Sequence, residues 1–234
     1  DLIIDVNGGQ TERWRFINSS SARYFHLHLG GKAFKIIASD GGLLEHPLTV
    51  TEALITPGER IDIAVTFTEG ESFVIESLAY NRMTFLKPKR ETFATVRVGE
   101  DKPSKAFIPD TLRTIEPLAL QDAAINRTVK LSVGPSLKEG LSFLVNGKTH
   151  VDDKPVMVGE LQVWEVVNSS LMDHPFHLHG FFFQVIDTFK AVEIKTVFYA
   201  RSGFCPIANS NHYRWDLMTF FFPRIFCFLP VFCK

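Results

Sequence analysis

An internal repeat constrains this chain more than any other feature. Trp14-Arg-Phe-Ile-Asn18-Ser19-Ser20, followed by Phe25-His26-Leu27-His28, recurs as Trp164-Glu-Val-Val-Asn168-Ser169-Ser170, followed by Phe176-His177-Leu178-His179. The offset is 150 residues and grows to 151 after one insertion. A shorter echo, Val6-Asn7-Gly8 against Val145-Asn146-Gly147, precedes each copy. Self-similarity at this spacing predicts two domains of one fold, and 234 residues are the right length for two cores. Pro103, Pro109 and Pro117 interrupt any continuous element between the copies. The expected layout is a first domain over 1–105, a linker over 106–120 and a second domain over 121–234.

Within each copy, short runs of alternating or β-branched residues lie between turn signals. Arg60 to Phe67 follows Pro57-Gly58, and Phe73-Val-Ile follows Gly70. Long segments of 3.6-residue periodicity are missing, so the pattern predicts an all-β sandwich or barrel rather than alternating helices and strands. The Asn-Gly pairs at 7–8 and 146–147 are both hairpin signals, and Asp40-Gly41-Gly42 reads as a turn. Asn18-Ser-Ser, Asn126-Arg-Thr and Asn168-Ser-Ser match the glycosylation triplet. Two of these sit inside the repeat, which favours structural turns.

Composition narrows the function. Twenty-five basic against 26 acidic residues give a formal charge of −1, which carries no footprint for nucleic acid. Cys205, Cys227 and Cys233 are too few for a disulfide framework. No basic, apolar leader opens the sequence at Asp1, so an export signal has been removed or was never included. Leu217 to Cys233 is apolar, but Pro223, Arg224 and Pro230 argue against a membrane span.

Three of the eight histidines fall in His174-Pro175-Phe176-His177-Leu178-His179-Gly180. In an extended segment His177 and His179 share one face while Phe176 and Leu178 share the other, so the apolar pair anchors and the imidazole pair presents. His174 lies at an odd offset beyond Pro175, which assigns it to a different site. Neutral imidazoles with few carboxylates nearby suit a soft or borderline transition metal.

This heptapeptide resembles the His-Pro-x-His-Leu-His-Gly segment in the last cupredoxin domain of multicopper oxidases, the laccase-like enzymes. Val6-Asn-Gly, Arg15-Phe-Ile-Asn18-Ser, Ala38-Ser-Asp40-Gly41-Gly42 and Pro57-Gly58-Glu59-Arg60 resemble the middle domain of the three-domain members. The resemblance implies two cupredoxin-like Greek-key β-sandwiches. It also implies copper as cofactor, and a phenolic or similar one-electron donor and O₂ as partners, with export from the cytoplasm. By position His174 would be a ligand of the mononuclear type 1 copper, His177 of the type 2 ion and His179 of the type 3 pair. The family's middle domain carries no copper, so His26 and His28 are expected to be structural residues on the non-core face of a strand. His46, before Pro47 in a turn, and His150 are expected to be structural as well.

The pattern then departs from the family. The resemblance implies eight trinuclear histidines, half of them from His-x-His motifs of a first domain, and a closing His-Cys-His segment; these 234 residues contain no His-Cys-His. After Thr188 the likeness stops. From Phe189 to Lys234 there are nine Phe and only two acids, Glu193 and Asp216, so the second domain is expected to have an atypical end, as a displaced reading frame would produce. Cys205, His212 and Met218 follow His174 in blue-copper order, but at spacings longer than a tight ligand loop. The leading expectation is the middle and last-domain portion of an oxidase, inactive without further ligands. A single-site electron-transfer cupredoxin and a non-catalytic scaffold are the alternatives.

Overall fold

The computed structural model describes residues 2–40, 42–81, 89–102, 106–118, 124–136, 140–149, 156–157, 160–170, 172–176, 183–189 and 193–199. All regular structure among them is β, and no described helix is long and apolar enough to cross a membrane. The apolar Leu217 to Cys233 run, the Cys205, His212 and Met218 triplet and His150 lie outside the described residues. The chain divides into two compact units, Asp1–Ile115 and Glu116–Lys234.

In the first unit, β1 (Leu2–Gly8), β9 (Glu91–Asp101), β8 (Ser72–Leu78), β3 (Phe25–His28) and β6 (Glu52–Ile55) form one five-stranded sheet in that order. A four-stranded sheet runs β2 (Thr11–Ile17), β7 (Arg60–Thr66), β4 (Phe34–Ser39), β5 (Gly42–Val50). Leu27, Ile55, Ile75 and Val96 from the first sheet and Phe34, Ile36, Ile61, Ile63 and Val65 from the second belong to one buried cluster, which makes this unit a sandwich. The core depends on strand alternation: Ile61, Ile63 and Val65 point inward from β7, and Trp14 and Phe16 of β2 pack against the same cluster. On the outer face, β7 places Asp62 opposite Arg15 in register. The Asp62 carboxylate is buried, takes Arg15 Nε at 2.6 Å and also pairs with Arg13. The hydrogen bond from Arg15, with help from Arg13, holds Asp62 below the usual carboxylate range against its burial.

The two Asn-Gly signals have different outcomes. Asn146 (φ 50°) and Gly147 (φ 76°) are both left-handed, as a two-residue hairpin of this type requires, and Val145 and Lys148 exchange backbone hydrogen bonds of 2.9 and 3.0 Å. Asn7-Gly8 forms no hairpin. β1 pairs in parallel with β9, while the next strand, β2, joins the other sheet beside β7. Gly8 is instead required by close approach: a Cβ there would run into the Asp101 carboxylate and lie 3.0 Å from the Glu69 backbone.

Pro57-Gly58 makes the expected turn, with Gly58 at φ 81° and Glu59 N–H donating to Thr56 C=O at 3.0 Å. Glu59 itself is buried. Its Oε2 accepts from Thr56 N–H at 2.6 Å and Thr56 Oγ1 at 2.9 Å, while Oε1 has no hydrogen-bond partner among the described residues. Burial therefore wins over these hydrogen bonds, and the Glu59 carboxyl is pushed up to about 7. Folding favours the protonated acid. The stabilisation is complete below the acid's ordinary value of 4.5 and is lost as pH rises through about 7. The difference corresponds to ~3 kcal/mol between the ends of that window. Denaturant unfolding of the full chain should show the first unit weakening from pH ~5 to pH ~8, and Glu59→Gln should remove most of that slope. An unchanged slope in Glu59→Gln would place its origin elsewhere, for example at Asp40, which burial raises to about 6 against the pull of Arg60.

In the second unit, β11 (Gly140–Val145), β10 (Arg127–Ser136), β12 (Leu161–Asn168), β14 (Glu193–Tyr199) and β13 (Phe183–Phe189) form a five-stranded sheet in that order. Its buried cluster contains Val129, Leu131, Val156, Trp164, Val166 and Phe183. The repeat is visible in atomic detail here. Trp164 Nε1 donates to Gln162 Oε1 at 2.8 Å, as Trp14 Nε1 donates to Glu12 Oε2 at 2.8 Å, each two residues back along its strand.

Residues around the expected linker attach to one unit or the other. His46 Nδ1 meets Asp110 C=O at 2.8 Å, Leu112 N–H donates to Glu45 C=O at 2.9 Å, and Ile115 N–H reaches Glu45 Oε1 at 3.4 Å. Leu118 N–H donates to Gln184 Oε1 at 2.8 Å, and Gln184 Nε2 donates to Glu116 C=O at 2.8 Å. His46 thus lies inside strand β5 rather than in the turn expected from the following proline, because β5 continues through Pro47.

Candidate metal centre

Only the first copy of Phe-His-Leu-His lies wholly within the described residues. In the first copy the string is strand β3, with Leu27 buried and the His26 and His28 side chains on the opposite face, 21% and 20% exposed. Both imidazoles already have carboxylate neighbours. His28 Nδ1 lies 2.8 Å from Glu76 Oε1, and His26 Nε2 lies 3.4 Å from Glu52 Oε2. Glu76 is fully buried and also accepts from Arg90 Nε at 2.5 Å and Nη2 at 2.6 Å. Arg90 is the chief reason its carboxylate stays below the ordinary range, with His28 adding to the effect. At His28 this pairing helps to balance the buried Glu76 charge. Glu76 and Arg90 left no signal in the sequence, since the three residues converge from β3, β8 and the approach to β9.

The second copy begins with His174, whose side chain is almost wholly buried at 2% exposure. Its ring meets Phe143 of β11 in a T-shaped contact at a centroid distance of 5.6 Å, and Nε2 sits 2.7 Å from Ser170 Oγ. Phe176, the anchor expected from strand parity, packs edge-on against Phe183 at 5.7 Å, beside the buried cluster of the unit. His177, His179 and Gly180 lie outside the described residues. Among the described residues no group of three or more His, Cys, Asp and Glu converges as a metal site. His174 is therefore the one member of the expected set placed by the structure. A buried imidazole held by a hydroxyl is chemically fit for a borderline metal such as copper.

Both Asn-Ser-Ser segments are turns, as their place in the repeat predicts. Asn18 Nδ2 donates to Arg23 C=O at 2.7 Å and Ile55 C=O at 2.9 Å, and Asn18 is 2% exposed. Asn168 Nδ2 donates to Met172 C=O at 2.8 Å in the same manner. The link from Ser170 to His174 is a residue role that sequence reasoning missed. Its only trace was the four-residue spacing between a turn serine and a histidine.

Family models described as multicopper oxidase match residues 2–98 and 126–199, one in each unit. The chain belongs to the multicopper oxidase family. A laccase from Bacillus stratosphericus is 33% identical over 187 residues, spanning 75% of this chain and 36% of the laccase. The bilirubin oxidase of Albifimbria verrucaria is 26% identical over 212 residues, covering 82% of this chain and 36% of that enzyme. A solved multicopper oxidase from the hyperthermophile Aquifex aeolicus superimposes with a TM-score of 0.71 at 24% identity, over 86% of this chain and 51% of that one. The chain thus spans about a third of the length of these sequence relatives. The structural match shows the fold, an all-β cupredoxin type.

Proposed function

We propose that this chain carries the middle and last cupredoxin domains of a laccase-like multicopper oxidase, with the copper-binding residues of this portion confined to the second unit. The observation that carries the reading is His174, buried and held on the Ser170 hydroxyl at the head of the His-Pro-Phe-His-Leu-His-Gly motif, a residue with no counterpart in the first copy. In this reading His174 belongs to the mononuclear site and His177 and His179 to the multinuclear one. Copper, when bound, supplies one-electron redox chemistry that couples the oxidation of four donor molecules to the reduction of O₂ to two waters.

The protein's own part is to hold and shield. Ser170 and Phe143 fix the His174 ring, and Phe176 seats the start of the motif on the core through Phe183. Phenolic or similar small donors follow from the same proposal, as does a location outside the cytoplasm. Elemental analysis tests it. The intact chain should hold copper, at fewer than four ions per chain. His177→Ala with His179→Ala should abolish that binding, and His26→Ala with His28→Ala should leave it in place. Equal losses from the two pairs, or a chain that binds no copper, would overturn the proposal.

A further inference from the structure

We infer that Ser170 is a positioning residue that fixes the tautomer of His174, placing the proton on Nε2 and the ring lone pair on Nδ1. This deepens the copper reading, in which His174 is a ligand, and it depends on the proton accounting of one turn. Asn168 is oriented without ambiguity. Its Nδ2 donates to Met172 C=O at 2.8 Å, and its Oδ1 accepts Ser170 N–H at 3.0 Å. Ser170 Oγ then has four neighbours: Asn168 Oδ1 at 2.9 Å, Met172 C=O at 3.0 Å, Met172 N–H at 3.2 Å and His174 Nε2 at 2.7 Å. A hydroxyl has one proton and two lone pairs. Two of its neighbours are carbonyl oxygens that can only accept. One arrangement uses all of its capacity: the proton goes to a carbonyl, and the lone pairs accept from Met172 N–H and from His174 Nε2–H. The reverse arrangement, with the hydroxyl donating to the imidazole, leaves a lone pair unused and both carbonyls without the hydroxyl proton in a half-buried turn.

The first copy supplies an internal control. Ser20 occupies the same place in its turn, with no histidine four residues on. Its Oγ lies 2.6 Å from Asn18 Oδ1 and 2.8 Å from Arg23 C=O, and it accepts Arg23 N–H at 3.1 Å. The turn directs the serine proton to a carbonyl by itself. In the second copy the same hydroxyl, with its proton already committed, is an acceptor held ready for an imidazole N–H. A ligand histidine anchored through its other ring nitrogen is fixed in both tautomer and orientation. The same network that ends a strand in the first copy thus orients a metal ligand in the second.

Nitrogen-15 NMR of the metal-free full chain, labelled at histidine and held at pH ~8 so that imidazoles are neutral, reads the tautomer directly. His174, assigned by comparison with His174→Gln, should appear as the Nε2–H form. Ser170→Ala should lose that preference and Ser170→Thr, which keeps the hydroxyl, should restore it. Ser20→Ala should leave the His174 signal unmoved. An Nδ1–H tautomer in the unaltered chain, or an unchanged Nε2–H tautomer in Ser170→Ala, would overturn the inference. If Ser170→Ala does not fold, the tautomer of the unaltered chain and of Ser170→Thr still decides. Copper content, measured separately, keeps the two readings distinguishable: an Nε2–H His174 in a chain that binds no copper sinks the copper proposal and leaves this one standing.

Discussion

The 234-residue chain reconstituted with copper is expected to show little or no phenol-oxidising turnover. The reason is ligand arithmetic. Of the histidines and the cysteine that the family resemblance assigns to the two copper centres, only His174, His177 and His179 are matched by motif in this sequence. The mononuclear site would lack its thiolate, which tunes the potential of such a site and carries the electron onward. His177 and His179 would lack the partner imidazoles of a multinuclear cluster. Surrounding hydrogen bonds such as Ser170 on His174 orient a ligand but do not replace one. Oxygen uptake with a phenolic donor, measured on a homogeneous 26.5 kDa preparation, checks this. Copper-dependent uptake that disappears in His177→Ala would show that the residues after Thr188 supply ligands their sequence does not advertise.

Phe67→Ala should be among the most damaging single changes in the first unit. Phe67 is 2% exposed, stacks on Phe73 at 6.4 Å with 15° between the rings, and meets Trp14 at 5.6 Å. Its backbone also ties the chain crossing between sheets, with Gly9 N–H donating to its carbonyl at 3.0 Å and its own N–H donating to Gln10 at 2.9 Å. Removing the ring leaves a cavity between two aromatics that cannot both move in, which costs ~3–5 kcal/mol. Hydrogen exchange reads the loss locally. Protection of the Ile63 and Val65 amides should fall by between about a hundredfold and a few thousandfold, whereas Phe67→Leu, which refills most of the volume, should cost less than about 1.5 kcal/mol. Protection unchanged in Phe67→Ala would mean that these amides exchange through local openings rather than through loss of the aromatic core.

The sequence by itself determined what short-range physics governs. Two copies of one fold, the strands, the Asn146-Gly147 hairpin and the Pro57-Gly58 turn all follow from side-chain alternation or from φ requirements that a few neighbouring residues settle alone. The His-Pro-Phe-His-Leu-His-Gly motif was legible for the same reason, its residues being contiguous. Tertiary structure decided whatever needed partners distant along the chain. Asn7-Gly8 has the same local preference as Asn146-Gly147, yet it is overridden because β1 gains a parallel partner in β9 and Gly8 must admit Asp101. His26 and His28 share a string with His177 and His179, but that His26 meets Glu52 and that His28 meets a Glu76 also held by Arg90 is visible only in the fold. Arg15 and Arg13 hold Asp62 below the usual carboxylate range, and burial raises the pKa of Glu59. Ser170 shows the boundary between the two kinds of information. The turn it caps is encoded within five residues, but its 2.7 Å contact with His174, a buried ring that also meets Phe143 of β11, is made only in the folded chain.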